Sequence, residues 1–160
     1  MRKDAGFTAY EVAVTLAIVG IMATFVMPPY FRWLQGHRLR GAAINLMADI
    51  EMAKIRAIRE NAFVAVRFAA GGYDMFVDNG AGGGVAGDWT PNGGENLFQS
   101  RQLPAGVRMV LGELTLPNHR VRFNGRGMPP DLVAPELLPL TNPSGRREVR
   151  LNRLGNVRIQ

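Results

Sequence analysis

Between positions 12 and 31 the chain carries no charged side chain, a run of 20 residues. As a helix that run is long enough to cross a hydrocarbon core of about 30 Å. Val12, Val14, Leu16, Ile18, Val19, Ile21, Met22, Phe25, Val26 and Met27 supply the apolar side chains and point in all directions, as a lipid-facing span requires. Pro28 and Pro29 then remove two backbone donors, which predicts a kink or local melting between Gly20 and Pro28. Beyond them the pattern becomes one-sided. Leu39, Ala43, Leu46, Ile50, Ala53 and Ala57 recur at steps of three and four, so a core-facing amphipathic helix is expected over 31–61. Arg38, Arg40, Asp49, Glu51, Lys54, Arg56, Arg59 and Glu60 mostly take the other faces, with Glu51–Lys54 and Arg56–Glu60 spaced to pair. After Asn61 the period falls to two. Residues 63–68 and 73–77 read as the strands of a hairpin turning at 69–72. Further short strands are expected near 101–103, 107–111, 120–123, 148–152 and 156–159. A glycine-rich stretch, 78–95, separates the hairpin from them and reads as a flexible surface loop. The expected fold class is α+β: a long N-terminal helix, apolar in its first half and amphipathic in its second, packed on an antiparallel β-sheet domain.

Three readings compete for the N-terminal segment. A cleaved secretory signal would be followed by a small-residue cleavage site, but Pro28, Pro29, Tyr30 and Phe31 follow the apolar run instead. A plain membrane anchor gives no reason for an acid at the head of the span. The third reading rests on a set of residues: Arg2 and Lys3, then Gly6, Phe7 and Glu11, then the apolar run with Gly20 and Pro28. This arrangement resembles that of type IV prepilins and pseudopilins, which carry a short basic leader ending in Gly, a Phe or Met after it, and a Glu at the fifth mature position. Thr8-Ala9-Tyr10 stands where that family more often has Thr-Leu-Ile or Ser-Leu, and Asp4 adds an acid to the leader; neither touches the cut.

The resemblance implies cleavage by prepilin peptidase between Gly6 and Phe7, with a methylated N-terminus at Phe7. It assigns assembly roles to Glu11, Gly20 and Pro28. The expected organisation is a leader over 1–6, a transmembrane and filament-core helix over 7–31, an amphipathic helix over 32–62, and the β domain over 63–160. The implied partners are prepilin peptidase, other pilins or pseudopilins in a filament, and the inner membrane, crossed once with the C-terminal domain outside the cytoplasm. Elementary electrostatics agrees. Arg2 and Lys3 favour the cytoplasmic side. Glu11 is costly at the head of an apolar helix unless paired, and a new amine at Phe7, in the same or a neighbouring subunit, is a natural partner. A second resemblance is narrower. Ala53-Lys-Ile-Arg-Ala-Ile-Arg-Glu-Asn61, Val64-Ala-Val66, Phe76-Val-Asp-Asn-Gly80, the later Val121-Arg-Phe-Asn and Gly155-Asn-Val-Arg158 are similar in order to the GspH/FimT class of minor pseudopilins. That class implies a minor subunit of a type IV pilus or type II secretion pseudopilus.

Charge adds one alternative. The net charge is +6; residues 1–100 hold nine basic and nine acidic side chains, so the whole excess falls in 101–160, with ten arginines against four acids. Arginine clusters suit phosphate, although solvated surface charge gives the same count. Arg146, Arg147, Arg150, Arg153 and Arg158 alternate enough to place several on one strand face. Some FimT-like minor pilins bind DNA through a C-terminal Gly-Arg-x-Arg motif; here Asn156 takes the place of its first arginine and Arg158 matches the second. DNA is therefore an alternative partner. No enzyme is expected. The histidines, His37 and His119, have no ligand spacing, the serines, Ser100 and Ser144, lie in loop-like contexts, and there is no phosphate loop. No cofactor is implied, and the absence of cysteine excludes disulfides and thiolate metal sites. Asp78, Asp88 and Glu95 make calcium conceivable in the glycine-rich loop, though at no EF-hand spacing. Trp89 either stands exposed there or folds back onto the sheet.

Overall fold

The structure is a computed structural model and describes residues 7–95 and 97–160. The chain forms two compact units, 1–34 and 35–160. One helix, α1 (Ala9–Glu60), supplies most of the first unit and the N-terminal part of the second.

In the first unit nearly every side chain of α1 is exposed, including Leu16, Ile21, Phe25 and Val26. It holds the helix of the described residues that is long and apolar enough to cross a membrane. The expected melting before Pro28 does not occur: α1 continues unbroken through Pro28 and Pro29. Proline at these positions withdraws the donors that would bond the Thr24 and Phe25 carbonyls, and the helix continues on both sides without those two bonds. The Thr24 hydroxyl also bonds back to the Gly20 carbonyl at 3.0 Å.

In the second unit α1 turns amphipathic. Leu39, Ala43, Leu46, Ile50, Ala53 and Ala57 are all buried, as their spacing predicted, joined by Ala42 and Asp49. The ion pairs Glu51–Lys54 (3.7 Å) and Arg56–Glu60 (2.7 Å) form along the outer side. The helix stops where Asn61 enters the left-handed region at φ 47°, a conformation asparagine tolerates well.

Two four-stranded antiparallel sheets follow. The first has the order β3 (Leu97–Gln102), β2 (Gly72–Asp78), β1 (Phe63–Ala69), β5 (Arg120–Phe123). The second has the order β4 (Arg108–Met109), β6 (Glu136–Asn142), β7 (Gly145–Leu151), β8 (Val157–Ile159). Alternation sets their faces. Val64, Val66 and Phe68 pair with Val77, Met75 and Tyr73, and Val64 and Val66 pair again with Phe123 and Val121; all turn inward. From the second sheet Met109, Leu138, Leu140, Val149, Leu151 and Val157 join the same core as the helix residues. Strand β6 was not expected from the sequence: Pro139 interrupts its pattern, yet it runs between β4 and β7 with Leu138 and Leu140 fully buried.

A buried polar clamp ties helix to sheet. Asp49 is 3% exposed and accepts bonds from the Tyr73 hydroxyl at 2.7 Å and Arg101 Nε at 2.5 Å. Burial first, then the bond to Asp49, pushes the Tyr73 phenol well above its ordinary value.

Candidate functional site

The described part of the assembly segment begins at Phe7, which is 88% exposed; Arg2, Lys3 and Gly6, and with them the predicted cleavage site, lie outside the described residues. Glu11 closes a reciprocal capping box with Thr8. The Glu11 carboxylate accepts from the Thr8 amide and hydroxyl, both at 2.9 Å, while the Thr8 hydroxyl accepts from the Glu11 amide at 3.2 Å. The Thr-x-x-Glu spacing 8–11 announces this box, although the resemblance drew attention to Glu11 alone. Gly20 lies mid-helix with open space where a Cβ would stand.

The five arginines proposed for a nucleic-acid face do not act together. Arg146 is saturated: it bonds both Glu113 oxygens at 3.0 and 2.6 Å and Glu148 at 2.7 Å, and these carboxylates, Glu113 foremost, raise its pKa further. Arg147 falls on the opposite face of β7, since it has the parity of Val149 and Leu151. Arg153 stands exposed in the turn between β7 and β8. Arg150 and Arg158 are the pair that the fold does bring together. They are directly opposed on β7 and β8, on the outer face of the second sheet, and both are exposed. With Asn152, Asn156, Ile159 and Gln160 they line a groove of about 490 Å³. Two like charges directly opposed on a sheet repel, a cost that a bound anion would remove.

The glycine-rich loop is a built structure, contrary to the expectation of a flexible one. Residues on the outer face of the first sheet, Ala65 and Phe76, are fully buried yet stand apart from the main core. The loop's anchors are carboxylates. Asp78, wholly buried, accepts the Gly87 and Trp89 amides at 2.5 and 3.1 Å. Glu95 accepts the Gly80 and Asn92 amides at 2.8 and 3.0 Å. Its glycines run so close, Gly82 against Gly94 and Gly93 against Gly84, that a Cβ at either Gly82 or Gly93 would collide with backbone. Ligand atoms of Asp78, Asp88 and Glu95 lie within 4.8 Å of one another. Backbone amides of the loop itself engage all three, so the calcium chemistry considered above is not required to explain them.

Trp89 folds back onto the first sheet. Its ring meets the guanidinium carbons of Arg120 and Arg122 at 4.7 and 4.5 Å from the centroid. Arg122 also bonds Asp131 at 2.8 Å and the Gly87 carbonyl at 3.2 Å. Sequence reasoning passed over Arg120 and Arg122; their shared parity on β5 was the available signal.

Comparison with known proteins accords with this architecture. Residues 42–155 match the family model described as type II transport protein GspH. The chain is 30% identical over 160 residues to a pilin-like protein, PilA1, of Thermus thermophilus, covering 97% of both chains. Two crystal structures of the type IV minor pilin FimU of Pseudomonas aeruginosa share the fold at 12% identity. One has a TM-score of 0.59 and covers 80% of this chain and 92% of that one; for the other the values are 0.55, 76% and 92%. The matched family model and the full-length relative together place this chain in the GspH family of the type IV pilin and pseudopilin superfamily, whose members are structural subunits and not enzymes.

Proposed function

We propose that the chain is made as a precursor, cut by prepilin peptidase between Gly6 and Phe7, and carried into a filament by the helix that begins there. The observation that carries the reading is the exposure of α1 over its first half: an apolar helix surface left almost wholly uncovered by the described residues needs lipid before assembly and neighbouring helices after it. Glu11 then has two successive roles. In the single chain it caps its own helix through Thr8. In the filament its exposed carboxylate takes the amine at Phe7 of a neighbour and sets axial register, while Gly20 and Pro28 tune the packing of the core. The subunit acts as a minor one, in a type IV pilus or a type II secretion pseudopilus. Mass spectrometry of the protein from its native membrane tests the cut: a methylated Phe7 terminus is expected, and any other mature terminus sinks the reading. Glu11→Ala should leave membrane insertion intact and lower incorporation into filaments.

A second reading is favoured by the opposed pair Arg150 and Arg158: phosphate binding, and with it DNA, on the outer face of the second sheet. In detergent the full chain should bind duplex DNA with an affinity that falls steeply with salt. Unchanged binding by the Arg150→Ala, Arg158→Ala double variant rejects this face as the site.

A further inference from the structure

Of the described non-glycine residues, four have positive φ: Asn61, Trp89, Asn118 and His119. Asn61 ends a helix. The other three border one place. Trp89, Leu116, Pro117, Arg120, Val121 and Asp131 line a groove of about 190 Å³, and Asn118 and His119 form the short link in the chain between two of these, Pro117 and Arg120. Such backbone costs about 1–3 kcal/mol at each site and concentrates where a surface is preorganised for binding. Here it is held in place: the buried Asp78 accepts the Trp89 amide.

The chemistry of the groove is uneven in an informative way. Leu116 and Val121 form an apolar floor, 6% and 1% exposed, and Trp89 offers one ring as a wall. Arg122 is neutralised by Asp131. Arg120 has no carboxylate partner among the described residues; its guanidinium rests only on Trp89. The groove therefore holds one unneutralised cation above apolar walls, with room for about one side chain. It also lies along an open edge. Strand β5 ends the first sheet, pairs with β1 alone, and makes no other backbone bond over 120–123 among the described residues.

We propose that this edge and groove dock an extended acidic segment of a partner protein. The segment adds as a fifth strand beside β5, and one Glu or Asp side chain enters the groove to pair with Arg120 against Trp89. An edge strand supplies main-chain affinity and the groove supplies the choice of side chain. Nucleic acid fits less well, because the floor is apolar. The inference is independent of the arginine pair on the second sheet and of the filament reading.

The test uses the full chain in detergent with Trp33→Phe, which leaves Trp89 as the only tryptophan. The probes are a blocked hexapeptide of alternating Val and Thr with one central Glu, the same peptide with Gln, the Glu peptide with its backbone amides N-methylated, and a thymidine decamer. The Glu peptide should give a saturable change in Trp89 emission below about 1 mM, with the Gln peptide at least about tenfold weaker and the methylated one silent. Arg120→Gln should cost about tenfold with no change in unfolding midpoint, and Arg120→Lys should recover part of the loss. Absence of saturation by the Glu peptide overturns the proposal, as do equal affinities for Glu and Gln. So does an oligonucleotide that binds with the same Arg120 dependence and displaces the peptide.

Discussion

The Asp49 clamp is the point where one substitution should separate helix from sheet most cleanly. Asp49→Ala leaves the Tyr73 hydroxyl without its acceptor inside the core, at about 1–3 kcal/mol for an unsatisfied buried group. Arg101 also loses a charge-assisted partner, but its side chain is 37% exposed and can turn to water, so its share is discounted to about 1 kcal/mol or less. The sum is about 1–4 kcal/mol. At about 4 °C per kcal/mol for a unit of this size, the midpoint should fall by about 4–16 °C. Thermal unfolding of the full chain in detergent, followed by circular dichroism, measures it. The ordering is a sharper check than the sum. Tyr73→Phe should cost least, about 1 kcal/mol, because Asp49 keeps Arg101, whereas Arg101→Gln leaves the buried Asp49 carboxylate without its cation and should cost at least as much as Asp49→Ala. The double variant Asp49→Ala, Arg101→Gln should cost less than its parts added. An Asp49→Ala effect below about 0.5 kcal/mol, or an Arg101→Gln effect smaller than that of Tyr73→Phe, would refute the reasoning.

Four further outcomes follow from the same geometry. The raised Tyr73 phenol stabilises the fold fully below pH about 10 and progressively less as pH rises beyond, so the wild-type midpoint should drop in alkali more steeply than that of Tyr73→Phe. Asp78→Ala should free the loop, at about 2–4 kcal/mol for two lost amide bonds to a buried carboxylate, read as a red shift of Trp89 emission and cleavage within 80–94 by a broad-specificity protease. Gly155→Ala, at φ 74° with its new Cβ driven onto the Gly127 carbonyl, should cost about 3 kcal/mol or more, seen in denaturant midpoints, whereas Gly20→Ala, in open space, should change them little. If the outer face of the second sheet binds duplex DNA, the Arg150→Ala, Arg158→Ala variant should lower the salt slope of binding by about two, and Arg146→Ala should not, because its charge is already met by Glu113 and Glu148.

The main architecture was readable because its signals are periodic. A 20-residue uncharged run and a three-and-four repeat from Leu39 to Ala57 each have one structural solution, and the alternation in 63–77 has one as well. What failed to read has physical reasons. Strand β6 hides behind Pro139, whose missing donor matters little where the ladder needs none from it. Composition made 78–95 look loose, because glycine signals freedom; here glycine allows two backbone segments to touch, and two carboxylates fix their ends. Counting arginines after position 100 found the excess of charge but not its disposition, since parity along β7 separates Arg147 from Arg150, and acids distant in sequence, Glu113 and Asp131, silence Arg146 and Arg122. Asp49 was assigned to the outer side of the helix with the other charges; only its two long-range partners, Tyr73 and Arg101, explain its burial.

The small side chains on the inner face of α1 have a mechanical consequence. Ala42, Ala43, Ala53 and Ala57 are buried along with Leu39, Leu46 and Ile50, so the grip on the helix is spread over five turns. Consider tension applied along the helix axis. A rod held along its length by many close contacts is loaded in shear, so all of them must yield together, whereas a rod held at one end can be peeled contact by contact. The same alanines therefore make the rate of rupture under such a load, more than equilibrium stability, the measure of how firmly the helix is held.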